Sequence, residues 1–200
     1  PILYNMASSM KIITVPHQTL RQVAKPVTHV DARIVKIVKE LGTTLDEKRN
    51  PSGVGLAAPQ VDVSLRMFAT KVGPDGDERN QRVPTLVFIN PIVVKHSANE
   101  VLGPNNREQT LEGCLSIPGL YGPVPRWDWI TLEYQLLEGE KLVNQQATFD
   151  GFHARVIQHE YDHLDGILFT DHSLRTGLPI YKDTGKELLE IEDRSFIELY

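Results

Sequence analysis

Residues 158–166 read Gln-His-Glu-Tyr-Asp-His-Leu-Asp-Gly, which sets His159, Glu160 and His163 in His-Glu-x-x-His spacing. On a helix, positions i and i+4 share one face, close enough for both imidazoles to reach a single metal ion. Glu160 then stands beside that ion, where hydrolysis needs a proton-transfer group. With seven histidines in 200 residues, chance occurrence of the motif is roughly 0.02, so a site is favoured over a surface helix that happens to carry these residues. The preceding Phe152-His153-Ala154-Arg155-Val156-Ile157 supplies apolar residues at helical spacing, Asp150 is the candidate N-cap and Gly166 the candidate stop. The motif is therefore expected on a short, partly buried helix.

A catalytic site of this kind holds its metal with three protein ligands and leaves one position open for water. The extended protease motif would require a ligand at position 169, which is Phe and cannot ligate. Glu187, Glu190 and Glu192 are possible donors, although acids in a charged tail are usually solvated. The remaining option is Cys114, the only cysteine, in Glu112-Gly113-Cys114-Leu115-Ser116-Ile117-Pro118. A lone cysteine is more often a small buried apolar residue, but a metal helix lacking one ligand reverses that preference, and a thiolate is a strong, soft donor. No further Cys or His has the spacing of a closed four-ligand structural site.

A second segment, Gly53-Val54-Gly55-Leu56-Ala57-Ala58-Pro59-Gln60, matches a dinucleotide-binding fingerprint, Gly-x-Gly-x-x-Ala. That fingerprint needs a strand before it and a helix after it. Here a polar run precedes it, and Pro59 disrupts a following helix. Two readings stay open: a loop of small residues that lets backbone approach a ligand, with the Gln60 amide pointed into the site, or an ordinary tight turn.

The elements that must position these residues follow from pattern. Residues 31–48 are amphipathic, with Ile34, Ile37, Val38, Leu41 and Leu45 at helical spacing behind an Asp31 cap, and residues 50–53 end that helix. Strand-like runs occupy 65–70, 85–90, 92–95, 130–137 and 141–149, the last two joined by a hairpin turn at Glu138-Gly139-Glu140. Residues 71–84 and 96–110 read as surface loops. The expected fold is α+β: mostly antiparallel and mixed strands around a central metal-binding helix, in one domain. Residues 1–9 are expected to be an N-terminal extension, 10–172 the catalytic domain, and 173–200 an acidic tail of undecided conformation. The apolar fraction of 40% supports a sizeable core, and the net charge of −5 disfavours a general nucleic-acid or anionic-membrane surface. No apolar run approaches a membrane span, the first residues lack the basic region and long apolar core of a signal peptide, and a single cysteine forbids an internal disulfide.

Three segments together resemble the peptide deformylase family: the Gly-x-Gly-apolar-Ala-x-Gln loop at 53–60, Glu-Gly-Cys-apolar-Ser at 112–116, and Gln-His-Glu-x-x-His at 158–163. Residues 20–27 and 124–126 also resemble family segments, so the likeness spans about 10–172. Two departures stand out. Tyr121 occupies the place, seven residues after the cysteine, where many members carry an Arg that contacts substrate backbone, and the acidic tail does not resemble the basic helix of common bacterial forms.

The resemblance implies removal of the formyl group from the initiator methionine of new proteins, with formate as product. It implies a divalent metal, Fe2+ natively, with Zn2+, Ni2+ or Co2+ as substitutes, held by Cys114, His159 and His163. Glu160 would carry the proton, and the Gln60 side chain and the Leu115 backbone N–H would bind the oxyanion. Gly55 backbone would bind the peptide and Ile157 would line the methionine pocket, with Gln158 and Arg155 supporting the ligands or the cysteine segment. The expected partners are N-formyl-methionyl nascent chains at the ribosome, in the bacterial cytoplasm or alternatively an organelle. The competing readings are a zinc endopeptidase with a tail glutamate as ligand, and a non-catalytic binder of peptide N-termini.

Overall fold

The computed structural model describes residues 8–48, 52–73, 83–104, 109–195 and 197. The first helix, α1 (Ala32–Glu47), forms where apolar residues recur every three to four positions, and the Asp31 carboxylate caps it by accepting from Ile34 N–H at 2.8 Å. Its buried face, Ile34, Ile37, Leu41 and Leu45, packs against Leu56, Met67, Ala69 and Ile89. Those residues lie in β1 (Gly55–Ala57), β2 (Met67–Thr70) and β3 (Leu86–His96). With β8 (Trp129–Glu138) and β9 (Lys141–Asp150) they make a five-stranded antiparallel sheet in the order β1-β2-β3-β8-β9.

Period-two patterning sets the faces of this sheet. Ile130, Leu132 and Tyr134 point inward, while Thr131, Glu133 and Gln135 face outward and pair across to Thr148, Gln146 and Asn144. The expected runs 85–90 and 92–95 are one strand. Pro91 has no N–H to donate and Asn90 takes φ +49°, so the register slips between Ile89 and Ile92 while pairing to β8 continues. The Asn90 amide steadies this bulge by exchanging hydrogen bonds with both Val27 backbone groups at 2.7 and 2.8 Å.

The motif-bearing helix, α2 (Gly151–Leu164), lies against the inner face of this sheet, with Ala154, Ile157 and Leu164 packed on Phe68, Phe88, Ile130 and Leu132. Asp150 occupies the N-cap position, but its side chain makes no capping bond. Gly166, at φ +71°, ends the helix where the N-terminal segment crosses. A Cβ there would stand 2.7 Å from the Arg21 carbonyl, and Ala24 N–H donates to Leu164 O at 2.8 Å.

A four-stranded antiparallel sheet, β11-β10-β6-β5, closes the other side of α2. It contains β5 (Leu111–Cys114), β6 (Ile117–Pro123), β10 (Tyr181–Asp183) and β11 (Leu188–Glu190). The region expected to be a loop at 96–110 contains β4 (Glu100–Val101), which pairs with β7 (Arg126–Trp127). Residues 74–82 and 105–108, within the two expected loops, and 1–7 of the expected extension lie outside the described residues. After α2 comes α3 (Phe169–Thr176), which spans the expected division at residue 172. The tail then joins the fold through Ile180 and Ile197. Both are fully buried with Ile117, Leu120, Val124, Leu168 and Phe169.

Phe88 is fully buried, with its ring centroid 4.9 Å from that of Phe68 and 4.7 Å from that of Tyr134. Phe88→Ala is expected to lower unfolding free energy by about 3–5 kcal/mol in denaturant titration. Thr131→Ala, on the outward face, is expected to change it by less than about 0.5 kcal/mol.

Candidate metal centre

Cys114 ends β5, and His159 and His163 lie one helical turn apart on α2. One donor atom from each falls within 4.8 Å of the others. Cys114 Sγ is 3.3 Å from His163 Nε2. His159 Nδ1 is 2.9 Å from Glu112 Oε2, which leaves Nε2 as the free donor of that ring. Burial opposes ionisation of Cys114, but the imidazoles of His163 and His159 outweigh it and bring the thiol down to about 5. A thiolate and two imidazoles at this spacing suit a first-row divalent cation. The tail glutamates do not join them, since Glu187, Glu190 and Glu192 are exposed on and around the β10–β11 hairpin.

Glu160 faces the same space and is almost wholly buried. Burial raises its carboxyl to about 7, against the pull of His159 and His163. Its Oε2 has no hydrogen-bond partner among the described residues. Gly55 supplies the room for it: a Cβ built on Gly55 would lie 2.2 Å from Glu160 Oε1. The close approach expected of this glycine is therefore made to the acid, within a β-strand. The tight-turn reading fails for residues 55–57. The dinucleotide reading fails as well, because only a four-residue 3-10 turn, Ala58–Val61, follows.

That turn places Gln60. Its Oε1 accepts from Ala57 N–H at 2.8 Å, which fixes the amide so that Nε2 reaches Ser116 Oγ at 3.3 Å and Cys114 Sγ at 3.4 Å. Leu115 lies in the turn between β5 and β6 with its side chain against the α1 core. Ile157 is fully buried between α2 and the large sheet. Tyr121 pairs with Gly113 on one side and Tyr181 on the other, next to the cysteine strand.

The two expected supporting residues part company. Arg155 donates to Glu112 Oε1 at 2.8 Å and to the carbonyls of Val124 and Val101, so it does reach the group that holds His159. Gln158 instead pins β7, accepting from Trp127 N–H at 3.0 Å and donating to Trp127 O at 2.8 Å. Glu112, Arg126, Asp162 and Ser116 were not singled out from sequence as site residues. Glu112 sits two positions before Cys114, on the opposite side of β5 from Gly113, and takes a bidentate pair from Arg126 at 2.9 and 3.0 Å. Their signal in the sequence is position alone: Glu112, Ser116 and Asp162 sit inside the cysteine and histidine motifs, and Arg126 in the 124–126 segment that resembles the family.

Burial raises the Glu112 and Asp162 carboxyls, yet Arg126, aided by His159 and His172 respectively, holds both below their ordinary values of 4.5 and 3.8. A folded pKa below the unfolded one means each group stabilises the fold above its ordinary pKa and ceases to do so as pH falls through the folded value. The thermal midpoint is thus expected to drop as pH goes below about 4.5. Glu112→Gln is expected to lower stability at neutral pH by about 3–5 kcal/mol and to flatten that acid limb in a pH series of thermal melts.

Residues 9–177 match the family model described as polypeptide deformylase. The peptide deformylase of Rhodopirellula baltica is 41% identical over 169 residues, covering 84% of this chain and 75% of that protein. Peptide deformylase 1 of Bacillus cereus is 37% identical, covering 83% of this chain and 93% of that protein. Among solved structures, the Met-Ala-Ser-bound class I type b peptide deformylase of Acinetobacter baumannii superposes with a TM-score of 0.68 at 29% identity, over 84% of this chain and 99% of that one. The actinonin complex of the Synechococcus elongatus peptide deformylase gives 0.66 at 32% identity, over 82% and 78%.

Proposed function

Since this chain belongs to the polypeptide deformylase family, we propose that Cys114, His159 and His163 hold the divalent metal with which it removes the N-formyl group from the N-terminal methionine of newly synthesised proteins. The reaction is a formamide hydrolysis. Water adds to the formyl carbon, the C–N bond breaks, the nitrogen leaves as an amine with one added proton, and formate is released. The observation that carries the assignment is the convergence of three metal donors within 4.8 Å, with the Gln60 amide 3.4 Å from Cys114 Sγ and the Glu160 carboxyl close enough to feel the charges of all three.

When bound, the cation supplies Lewis acidity for water and the formyl carbonyl. Every other part falls to side chains and backbone. Glu160, with a carboxyl near 7, is matched to take a proton from water and return it to the departing nitrogen. Gln60 Nε2, locked by the Ala57 contact, and the Leu115 backbone N–H donate to the developing oxyanion. The Gly55 backbone takes the peptide, and Ile157 backs the methionine pocket. Arg155 acts through Glu112 on His159, and Gln158 fixes α2 to β7. Residues 10–172 carry the catalysis, preceded by an extension at 1–9 and buttressed by the tail at 173–200.

The donor set accepts Fe2+, Zn2+, Ni2+ or Co2+; the family resemblance favours Fe2+ as the native ion. The substrates are formyl-methionyl nascent chains met at the ribosome. The relatives above are bacterial, and no helix among the described residues is long and apolar enough to cross a membrane. We take the bacterial cytoplasm as the compartment, with an organelle as the alternative.

The test is formate release from formyl-Met-Ala by iron-loaded protein, with metal content measured on the same samples. Cys114→Ala is expected to lose both metal and turnover. Glu160→Ala is expected to keep the metal and lose about 10²–10⁴-fold in kcat; turnover at the parent rate by metal-bearing Glu160→Ala would reject its role. Gly55→Ala is expected to retain metal and lower kcat, because the new methyl occupies the place of the Glu160 carboxylate.

A further inference from the structure

The ring of His159 is steadied from its far side by a chain of polar contacts that ends at the surface. Glu112 holds His159 Nδ1, and Arg126 clamps both Glu112 oxygens through Nε and Nη2. The remaining guanidinium nitrogen, Nη1, donates to Asp162 Oδ2 at 2.6 Å. The same oxygen is 2.7 Å from His172 Nε2, on α3. Arg175 Nη2 is 3.0 Å from His172 Nδ1, and a guanidinium only donates, so Nδ1 accepts and the ring proton sits on Nε2, facing Asp162. Exposure rises along the chain, from 4–6% for the side chains of Arg126 and Glu112 to 13–16% for those of His172 and Asp162.

We propose that His172, acting through Asp162 and Arg126, is a positioning residue for His159. The guanidinium is a rigid planar fork, so turning one end turns the other. Asp162 sets the angle of that fork, and His172 and Arg126 share a single Asp162 oxygen. Arg155 also holds Glu112, but its other contacts are the Val124 and Val101 carbonyls, so it ties Glu112 to the strands and not to α3. Losing the His172 contact lets Asp162 turn toward water and frees one end of the Arg126 fork. Glu112, and with it the direction of His159 Nε2, then follows. The proposal rests on His159 being a metal ligand.

The experiment uses the full chain loaded with Co2+, whose visible ligand-field bands and thiolate-to-cobalt charge-transfer band report the ligands directly. Parent, His172→Phe, His172→Gln and Arg21→Ala are compared. Arg21→Ala removes a different α3 contact, the 2.5 Å pair with Asp171, together with a bond to the Gly166 carbonyl, and neither partner belongs to the polar chain. His172→Phe is expected to shift the ligand-field bands and to release Co2+ to a chelator about 10-fold faster. His172→Gln, whose amide N–H replaces the ring N–H, is expected to restore both, and Arg21→Ala to leave both at parent values. Parent bands and parent release in His172→Phe overturn the proposal, as does the same shift in Arg21→Ala, which would trace the effect to anchoring of α3. Should His172→Phe not fold, Asp162→Asn is expected to give the same band shift, and parent bands in folded Asp162→Asn overturn the proposal equally. A parent protein without the charge-transfer band, or a His159→Ala that keeps the parent bands, rejects the ligand assignment itself, and the proposal falls with it.

Discussion

The carboxylate of Glu112 is the point on which the rest of the structure converges. It is buried, and three donors from two elements meet there: Arg126 from β7, and Arg155 and the ring of His159 from α2. A buried carboxylate is costly unless paired, and removing any one partner leaves a charge that the interior cannot solvate. With Asp162 taking the far nitrogen of Arg126, the cluster holds two positive and two negative side chains. No member is tolerable alone, so β5, β7 and α2 must arrive in one relative position. This is also the position that brings Cys114 to His163.

Glu112 and Cys114 lie two positions apart on β5, and across the register slip between Gly113 and Cys114 both side chains reach histidines of α2. One grips His159 through Nδ1, and the other lies 3.3 Å from His163 Nε2. A single four-residue strand thus supplies one candidate donor and orients another. Gln60 completes the arrangement from the opposite wall, because its own backbone-bound Oε1 leaves Nε2 only one direction to point. Specificity of placement, more than net stability, is what the ion-pair cluster contributes, since buried pairs of this kind add little over well-packed apolar groups.

Much of this was legible in residue order, and the exceptions have physical causes. The shared His159–His163 face, the Asp31 cap and the 138–140 hairpin follow from local spacing and appear as expected, and Cys114 lies with the two histidines in a cluster that could hold a metal ion. β5 and β6 carry no strand pattern in the sequence because Gly113, Gly119, Gly122, Pro118 and Pro123 lower strand propensity there. They form because β10, some sixty residues later in the chain, pairs with β6. The tail shows no clear periodicity because, among its described residues, Ile180 and Ile197 are the fully buried apolar ones, while Leu188 and Leu189 stay exposed. Glu112 could not be assigned at all from spacing, since its partners come from residues 126, 155 and 159, and a contact of that kind leaves no periodic trace.

The distribution of polar dissatisfaction points the same way. Among the described residues, the buried side-chain atoms without partners are Arg155 Nε, Glu160 Oε2, His163 Nδ1, Thr170 Oγ1 and Ser173 Oγ. All five belong to α2 and α3, the helices that bear the site and its outer supports, and none to the large sheet. A buried polar atom that neither protein nor water pairs costs about 1–3 kcal/mol, a burden native interiors usually avoid. The sheet, with its apolar inner face, keeps to period-two patterning outside the Asn90–Pro91 bulge, and it supplies stability that tolerates the exceptions. Glu160 shows why the exception is kept. A carboxylate oxygen fully paired inside the protein would be stabilised as an anion and lose its capacity to exchange protons near neutrality. Gly55 gives Glu160 room without giving its Oε2 a partner among the described residues, and burial then holds its carboxyl at about 7.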